Sequence, residues 1–198
     1  QYILPPVYQR FLERGLPVSL WVESMRIYET VAAVARGDAD MAIVDGDLHY
    51  DLQIEARPLF RESFFLVGPM DLALPDTVHP SMLRVEDEIL VSGQPEILQW
   101  HDCWYGMDAR PLLYTDIPQL AETLPSCGRR WVICPAAAAG HSVRQFPTIR
   151  SLRLTDAPAD RTFYLVTPKG RPLSDASEQL LADLRVHLRT VDGIHLFE

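Results

Sequence analysis

The alternation of helical and strand patterns in the first fifty residues constrains the fold of this chain more than any other feature. Apolar residues at helical spacing predict one helix over Pro5–Glu13 and another that begins at Ser24, its expected N-cap, and ends at Arg36. Alternating apolar and polar residues predict a strand over Pro17–Glu23, and a short apolar run predicts a buried strand over Met41–Val44. This order of elements predicts right-handed βαβ crossovers and a parallel sheet.

The remaining sequence continues the same α/β pattern without an internal repeat. Apolar runs predict four further strands, at Glu62–Val67, Ile89–Val91, Trp131–Cys134 and Thr162–Val166. Three start signals predict helices, namely Ser92-Gly93-Gln94-Pro95, Asp116 as an N-cap and Ser174 as an N-cap. The second and the last of the four strands are candidates for strands that cross between two lobes. Two such lobes leave a crevice where the ends of strands and helices meet.

Length and charge narrow the function classes. The chain has 198 residues, enough for one domain or two small lobes. Its 18 Lys and Arg residues against 27 Asp and Glu residues give a net charge of −9. Because nucleic-acid readers normally present a basic face, this charge argues against DNA binding by the segment itself. No apolar run reaches the ~18 residues of a membrane span and no signal peptide opens the chain, so we expect a cytoplasmic protein.

The sequence offers no constellation for catalysis or metal binding. It contains no Gly-rich phosphate loop, no G-x-S-x-G elbow and no H-E-x-x-H pair. Cys103, Cys127 and Cys134 lack a C-x-x-C spacing and predict neither a disulfide framework nor a zinc site. We therefore expect no cofactor, no metal ion and no enzymatic activity. Trp100 and Trp104 either wall a pocket for an aromatic ligand or pack in the core, and we favour packing.

Three predicted helix starts are candidates for binding a small molecule. Free N–H groups at Ser24-Met25-Arg26, Ser92-Gly93-Gln94 and Asp116-Ile117 suit an anionic or hydroxylated ligand. Capping of its own helix is the simpler role for Asp116. Ser24 and Arg26 are the stronger candidates, although Arg26 is described equally well as an exposed arginine.

Four segments carry a resemblance to one known family, in the order LPPVYQRFLERGLPVSLWVES, VARGDADMAIVDG, LFRE followed by FFLVGP, and FYLVTPKGRPLSDASEQLLADL. Together they resemble the effector-binding domain of LysR-type transcriptional regulators. The second segment is similar to the family's Leu-x-x-Gly-x-Leu-Asp-Leu-Ala-Ile motif, matched at Val34, Gly37, Asp40, Ala42 and Ile43. The chain departs from the family's Gly-x-Gly-Ile-x-x-Leu-Pro pattern, where it has Arg129 and Arg130.

The resemblance implies a type 2 periplasmic-binding-protein fold, in which two Rossmann-like α/β lobes are joined by two crossing strands and hold an effector between them. The implied lobes are residues 1–88 with 163–198, and residues 89–162. The family also implies a winged helix-turn-helix DNA-binding domain ahead of Gln1, which makes all contact with DNA. A chain that opens on Gln1 rather than methionine fits that expectation. A homo-oligomer, dimer or tetramer, without membrane contact is implied as well.

Carried over residue by residue, the family's effector contacts fall on Ser24, on Ser92, Gly93 and Gln94, and on Asp116 and Ile117, and Gln1 and Tyr2 are proposed for a further contact. Met25, Arg26 and Asp45 complete the set of candidate effector-binding residues. The leading hypothesis is a sensor module in which the effector shifts lobe closure and thereby DNA binding. The alternative is an extracytoplasmic solute-binding protein of a transporter, which has the same fold. Free cysteines, the short length and the Gly37/Asp40 pattern weigh against this alternative, and a small α/β enzyme ranks third.

Overall fold

A computed structural model describes residues 2–46, 52–126 and 128–197 and confirms a mixed α/β fold. The helices are α1 (Leu4–Glu13), α2 (Ile27–Arg36), α3 (Pro95–Tyr105), α4 (Pro118–Thr123), α5 (Ala136–Gln145) and α6 (Asp175–Leu188). The strands are β1 (Ala42–Asp45), β2 (Ile54–Glu62), β3 (Phe64–Pro69), β4 (Thr77–Val78), β5 (Ile89–Val91), β6 (Leu113–Thr115), β7 (Val132–Pro135), β8 (Ile149–Leu154), β9 (Arg161–Pro168) and β10 (Ile194–Leu196). Every predicted helix is present. Every predicted strand except that over Pro17–Glu23 is also present, with the predicted bounds at Ile89–Val91 and with shifted ends elsewhere.

The chain divides into two compact units. The first holds residues 1–61 and 161–198, and the second holds residues 62–160. Residues 62–88, which the sequence assigns to the first lobe, lie in the second unit. They do so because β3 and β4 pair with β7 and β8, and an apolar run predicts a strand without revealing its partner.

The four-stranded sheet of the first unit has the order β1-β9-β2-β10. β1 runs antiparallel to β9, with Ala42 opposite Val166 and Asp45 opposite Phe163. The parallel sheet predicted for the first fifty residues is therefore wrong for this pair. The neighbour of β1 comes from the last quarter of the chain instead of from the strand pattern that precedes it.

Residues 17–23 form no strand, although their apolar and polar side chains alternate. Val18, Trp21 and Val22 are exposed, and 86% of the Trp21 side-chain surface reaches solvent. A strand is stable when its N–H and C=O groups pair with a neighbour, and no described strand pairs with this segment. Alternating apolar and polar side chains are thus insufficient to form a strand without a pairing partner.

Helices cover this sheet through small apolar clusters. α2 packs on β1 and β9, where Val34, Val44 and Val166 are buried together. α1 packs against α6 and buries Val7 and Phe11 on that side. The apolar spacing that predicted α1 and α2 therefore marks their inward faces.

The second unit holds a four-stranded sheet of order β4-β8-β3-β7 and a parallel pair, β5 with β6. β3 is antiparallel to both of its neighbours and is buried along its whole length. Trp100 lies in the core of this unit and Trp104 packs against that core, which confirms packing as the role of this pair. The Trp100 indole N–H also donates to the Asp156 carbonyl oxygen.

Of the N-caps predicted for α2 and α6, only the one for α6 is confirmed. Ser174 caps α6 as predicted, since its Oγ accepts a hydrogen bond from the Ser177 N–H over 3.2 Å. Ser24 is wrong as the cap of α2, because the residue in that position is Arg26. The Arg26 N–H donates to the Glu29 carboxylate over 3.1 Å. A glutamate in the first turn, and not the predicted serine, therefore supplies the capping hydrogen bond.

Glu88 and His101 form a buried polar pair in the second unit. Oε2 of Glu88 lies 2.7 Å from Nδ1 of His101, and the two side chains are 1% and 4% exposed. Burial raises the pKa of Glu88 to about 8 and lowers the pKa of His101. Asp102 opposes the lowering at His101, and Glu88 in turn adds to the raised pKa of Tyr105. The hydrogen bond therefore joins two neutral groups at pH 7.

We predict that the free energy of unfolding falls as the pH rises from 6.5 to about 8. In the unfolded chain both groups have lost their protons above the ordinary pKa values of 4.5 and 6.5, whereas the folded chain keeps the proton on Glu88. Folding then binds up to one proton, so rising pH disfavours it by roughly 1 kcal/mol over this window. Below pH 6.5 the raised pKa of Glu88 and the lowered pKa of His101 act in opposite directions.

Urea denaturation across this pH range measures the effect. Glu88→Gln keeps a hydrogen-bonding amide of the same shape and cannot ionise, so its pH dependence is expected to be flatter. Equal slopes for the two proteins would show that Glu88 is already ionised in the fold.

Arg14, just after α1, makes a second long-range polar contact with Asp183 of α6. Its Nη2 and Nε atoms donate to the two carboxylate oxygens over 2.6 and 2.9 Å. The Asp183 side chain is 4% exposed, and the Arg14 hydrogen bonds hold the pKa of that carboxyl below its usual range. The pair joins two segments that are 169 residues apart in sequence.

We predict that Arg14→Gln lowers the Tm by a few degrees at pH 7, because it leaves the enclosed Asp183 carboxylate without its cation. A carboxyl with a lowered pKa stabilises the fold above its unfolded pKa of 3.8 and loses this effect as the pH falls through the folded value. The Tm difference from the unmodified chain should therefore shrink below pH 3.8. Arg36→Gln is the control, since both partners of its pair with Asp38 are exposed and its Tm should barely change.

Candidate functional site

The second unit brings two predicted contact segments together at the carboxyl ends of β5 and β6. These strands run parallel, with Val91 opposite Thr115. Directly beyond this pair, the Ser92 N–H donates to the Thr115 carbonyl oxygen over 2.8 Å. Residues 92–94 and residues 116–117 therefore lie side by side, as the ends of neighbouring parallel strands do.

The start of α3 presents hydrogen-bond donors at this edge. In the part of the chain that the structure describes, the N–H groups of Gly93, Gln94 and Glu96 have no backbone acceptor. Gly93 has a φ of +88°, and a Cβ added there would meet no atom within 4 Å, so the approach to these donors is open. The positive end of the α3 dipole strengthens them, and the combination suits a carboxylate.

Gln94 adds an acceptor that the fold leaves unused. Its Oε1 atom is buried and has no hydrogen-bond partner within the described residues. Leaving a buried amide oxygen unsatisfied costs about 1–3 kcal/mol. A hydrogen-bond donor within reach of this atom would recover the cost.

Asp116 does not cap α4, and this corrects its predicted role. The N-cap is Ile117, whose N–H donates to Oγ1 of Thr115 over 3.0 Å. Thr115 is buried at the strand end and reaches this N–H first, while Asp116 stays exposed. The short α4 thus begins with its first donor already taken.

The candidates of the first unit lie around the start of α2 and the end of β1. A Cβ at Gly46, directly after β1, would lie 3.6 Å from Cδ1 of Ile27, the first residue of α2. The Asp45 carboxylate accepts a hydrogen bond from Nη1 of Arg161 over 3.3 Å, and this guanidinium lies 4.7 Å from the centre of the Phe163 ring. The structure therefore brings the neighbours of Arg26 and Asp45 together and gives Asp45 a cation of its own.

The other candidates of the first unit are less enclosed. Ser24, Met25 and Arg26 are exposed in the irregular segment ahead of α2. Tyr2 is half-buried just before α1, and Gln1 lies outside the described residues.

Thr115 and Arg161 contact the candidate residues Ile117 and Asp45, but neither was itself a candidate from the sequence. Thr115 follows the apolar run Leu112-Leu113-Tyr114, and a polar residue at the end of such a run is the signal that could have found it. Arg161 had no such signal, because 116 residues separate it from Asp45.

The Cys134 thiol is unreactive at neutral pH. Burial raises the pKa of the Cys134 thiol to about 12, with further contributions from the Glu62 and Glu122 carboxylates, so this thiol stays protonated at neutral pH. Cys103 is an exposed free cysteine, and Cys127 lies outside the described residues. Across the described ranges, no group of three or more His, Cys, Asp or Glu residues is placed to hold a metal ion. No helix in those ranges is both long and apolar enough to cross a membrane.

Comparison with known proteins supplies the family. The family model of the LysR substrate binding domain matches residues 1–189. Reduced OxyR from N. meningitidis has a TM-score of 0.71 and 18% identity, over 100% of this chain and 93% of that chain. The effector binding domain of a BenM variant has a TM-score of 0.67 and 17% identity, over 95% of this chain and 89% of its own. Full-length CbnR in complex with its target DNA has a TM-score of 0.66 and 17% identity, over 93% of this chain and 65% of its own.

No curated protein sequence matches the chain. The family match confirms the predicted type 2 periplasmic-binding-protein-like α/β fold and does not favour the transporter alternative. The chain belongs to the LysR substrate-binding domains, the effector-binding part of LysR-type transcriptional regulators.

Proposed function

We propose that this chain senses a small organic acid at the ends of β5 and β6 and that a DNA-binding domain on its N-terminal side responds to that binding. One observation carries the proposal: the open N–H groups of Gly93 and Gln94 lie beside the unused Oε1 acceptor of Gln94. A site with both donors and an acceptor recognises a ligand that carries a carboxylate and a hydroxyl or amino group.

Each group at this edge has a defined role in the proposal. The ligand carboxylate accepts hydrogen bonds from the N–H groups at the start of α3, and a ligand hydroxyl or amino group donates to Oε1 of Gln94. The Thr115 hydroxyl already accepts from Ile117 and keeps its own O–H to donate. The exposed Asp116 carboxylate disfavours a second negative charge on the ligand.

The residues of the first unit contribute less in this scheme. Arg26 supplies a counter-charge for the ligand, and Ser24, Met25, Asp45, Tyr2 and Gln1 complete the proposed set. Their weaker role follows from exposure at Ser24 and Arg26 and from the existing ion pair at Asp45.

The proposal also covers how the domain works in its regulator. It acts by binding and not by catalysis, as a homo-oligomer in the cytoplasm, and touches DNA through its N-terminal partner domain. The net charge of −9 supports this division, because a separate basic reader is then needed for the phosphate backbone.

We predict that Gln94→Leu separates binding from stability. Leucine removes the unsatisfied oxygen at nearly the same volume, so the Tm should stay the same or rise. The loss of the acceptor should weaken effector binding about tenfold or more. Calorimetric titration of hydroxy and amino acids into the chain, with thermal melts of both proteins, measures the two effects.

Gln99→Leu is the matched control, since Gln99 is exposed on the same helix and should leave affinity unchanged. Equal affinity of the Gln94→Leu chain for every ligand that binds would place the effector elsewhere. Turnover of a ligand would contradict the sensor role itself.

A further inference from the structure

A cleft in the first unit has the composition of a second small-molecule site, separate from the edge of β5 and β6. We propose that it binds a small organic carboxylate with an apolar body, held by Arg57, Arg171 and Arg185. The cleft has a volume of about 380 Å³, within the range of ligand pockets in proteins. All of its lining residues belong to the first unit.

Two regular elements place side chains on its walls by simple periodicity. Glu55, Arg57 and Leu59 are two residues apart along β2 and so project from one face of that strand. Leu181 and Arg185 are four residues apart on α6 and so project from one side of that helix. An apolar and a cationic side chain therefore meet the cleft from each element.

The third wall is the turn that follows β9, where Pro168 and Pro172 restrict the backbone. Arg171 lies in this turn, and its Nη1 atom would be 3.1 Å from a Cβ placed on Gly37. Gly37 is the C-cap of α2, with a φ of +80°, so the guanidinium rests at the negative end of that helix dipole. Arg171 therefore lies close to the C-terminal end of α2 while lining the cleft.

The cleft is cationic in a chain that is acidic as a whole. Three guanidinium groups line it against one carboxylate, that of Glu55, which pairs with Arg57 over 2.8 Å. Among the described residues, Arg171 and Arg185 have no acidic partner. In a chain whose net charge is −9, two such arginines around one cleft are a localised exception.

The apolar residues of the lining decide the class of anion. Leu59 and Leu165 are 1% and 8% exposed, and Leu173 and Leu181 are half-buried beside them. An inorganic anion would leave these side chains without a contact. A carboxylate with an aromatic or aliphatic body contacts both kinds of lining residue, since guanidinium forks match carboxylate oxygens and the body covers the leucines.

Calorimetric titration of the 198-residue chain with phenylacetate and with phenylacetamide tests the proposal, because the two probes share an apolar body and differ in charge. Phenylacetate should bind, and phenylacetamide should bind at least about tenfold more weakly. Arg185→Gln and Arg171→Gln should each weaken phenylacetate binding about tenfold, and added salt should weaken it further. Arg189→Gln is the control, since Arg189 is exposed at the end of α6 and does not line the cleft.

Three results would overturn the site. Equal affinity for the two probes would show that the arginines do not recognise the carboxylate. Absence of phenylacetate binding up to about 10 mM would show that the cleft is not a binding site. Binding that survives Arg185→Gln and is lost in Gln94→Leu would move the ligand to the edge of β5 and β6. Since Arg185 is exposed, circular dichroism should show an unchanged fold, and the two proposals fail independently of each other.

Discussion

The organisation of the second unit depends on the pairing of β5 with β6 on one side and with Trp131, the residue before β7, on the other. On one side β5 runs parallel to β6, and on the other the Ile89 N–H donates to the Trp131 carbonyl oxygen over 2.8 Å. Glu88, at the head of this strand, bonds to His101 and so attaches α3 to it. The carboxyl end of β5 continues through residues 92–94 into α3. One short strand therefore determines where α3 begins and, through Glu88, where His101 of α3 is attached.

This arrangement explains which parts of the fold the sequence could predict. The helices were predictable because an amphipathic stripe is a local property, and α1 and α6 show it at Phe11 and Leu184. Strand partners were not predictable, because β1 lies against β9, more than a hundred residues away, and residues 17–23 alternate although no described strand pairs with them. Periodicity reports a face to bury and says nothing of what will cover it.

The candidate site divides along the same line. Residues 92–94 and 116–117 could be named as candidates because each was predicted to start a helix, and the parallel pairing of β5 with β6 places the two segments side by side. The role of Thr115 could not be predicted. Asp116 was expected to cap the helix, but the Thr115 hydroxyl lies 3.0 Å from the Ile117 nitrogen and accepts its hydrogen bond, and this distance depends on how the buried backbone folds. The same limit applies to Asp45, whose partner Arg161 is remote in sequence.

The chemistry of the three polar regions separates sensing from proton binding. At the edge of β5 and β6 the recognising groups are peptide N–H donors and the Gln94 amide, none of which titrates near neutral pH. In the cleft of the first unit the recognising groups are guanidinium ions, which stay charged throughout. Glu88, whose pKa is raised to about 8, is buried beside His101 of α3 and faces neither set of contacts directly. Loss of its proton as the pH rises from 6.5 to 8 therefore acts on the edge of β5 and β6 through the attachment of α3 to β5.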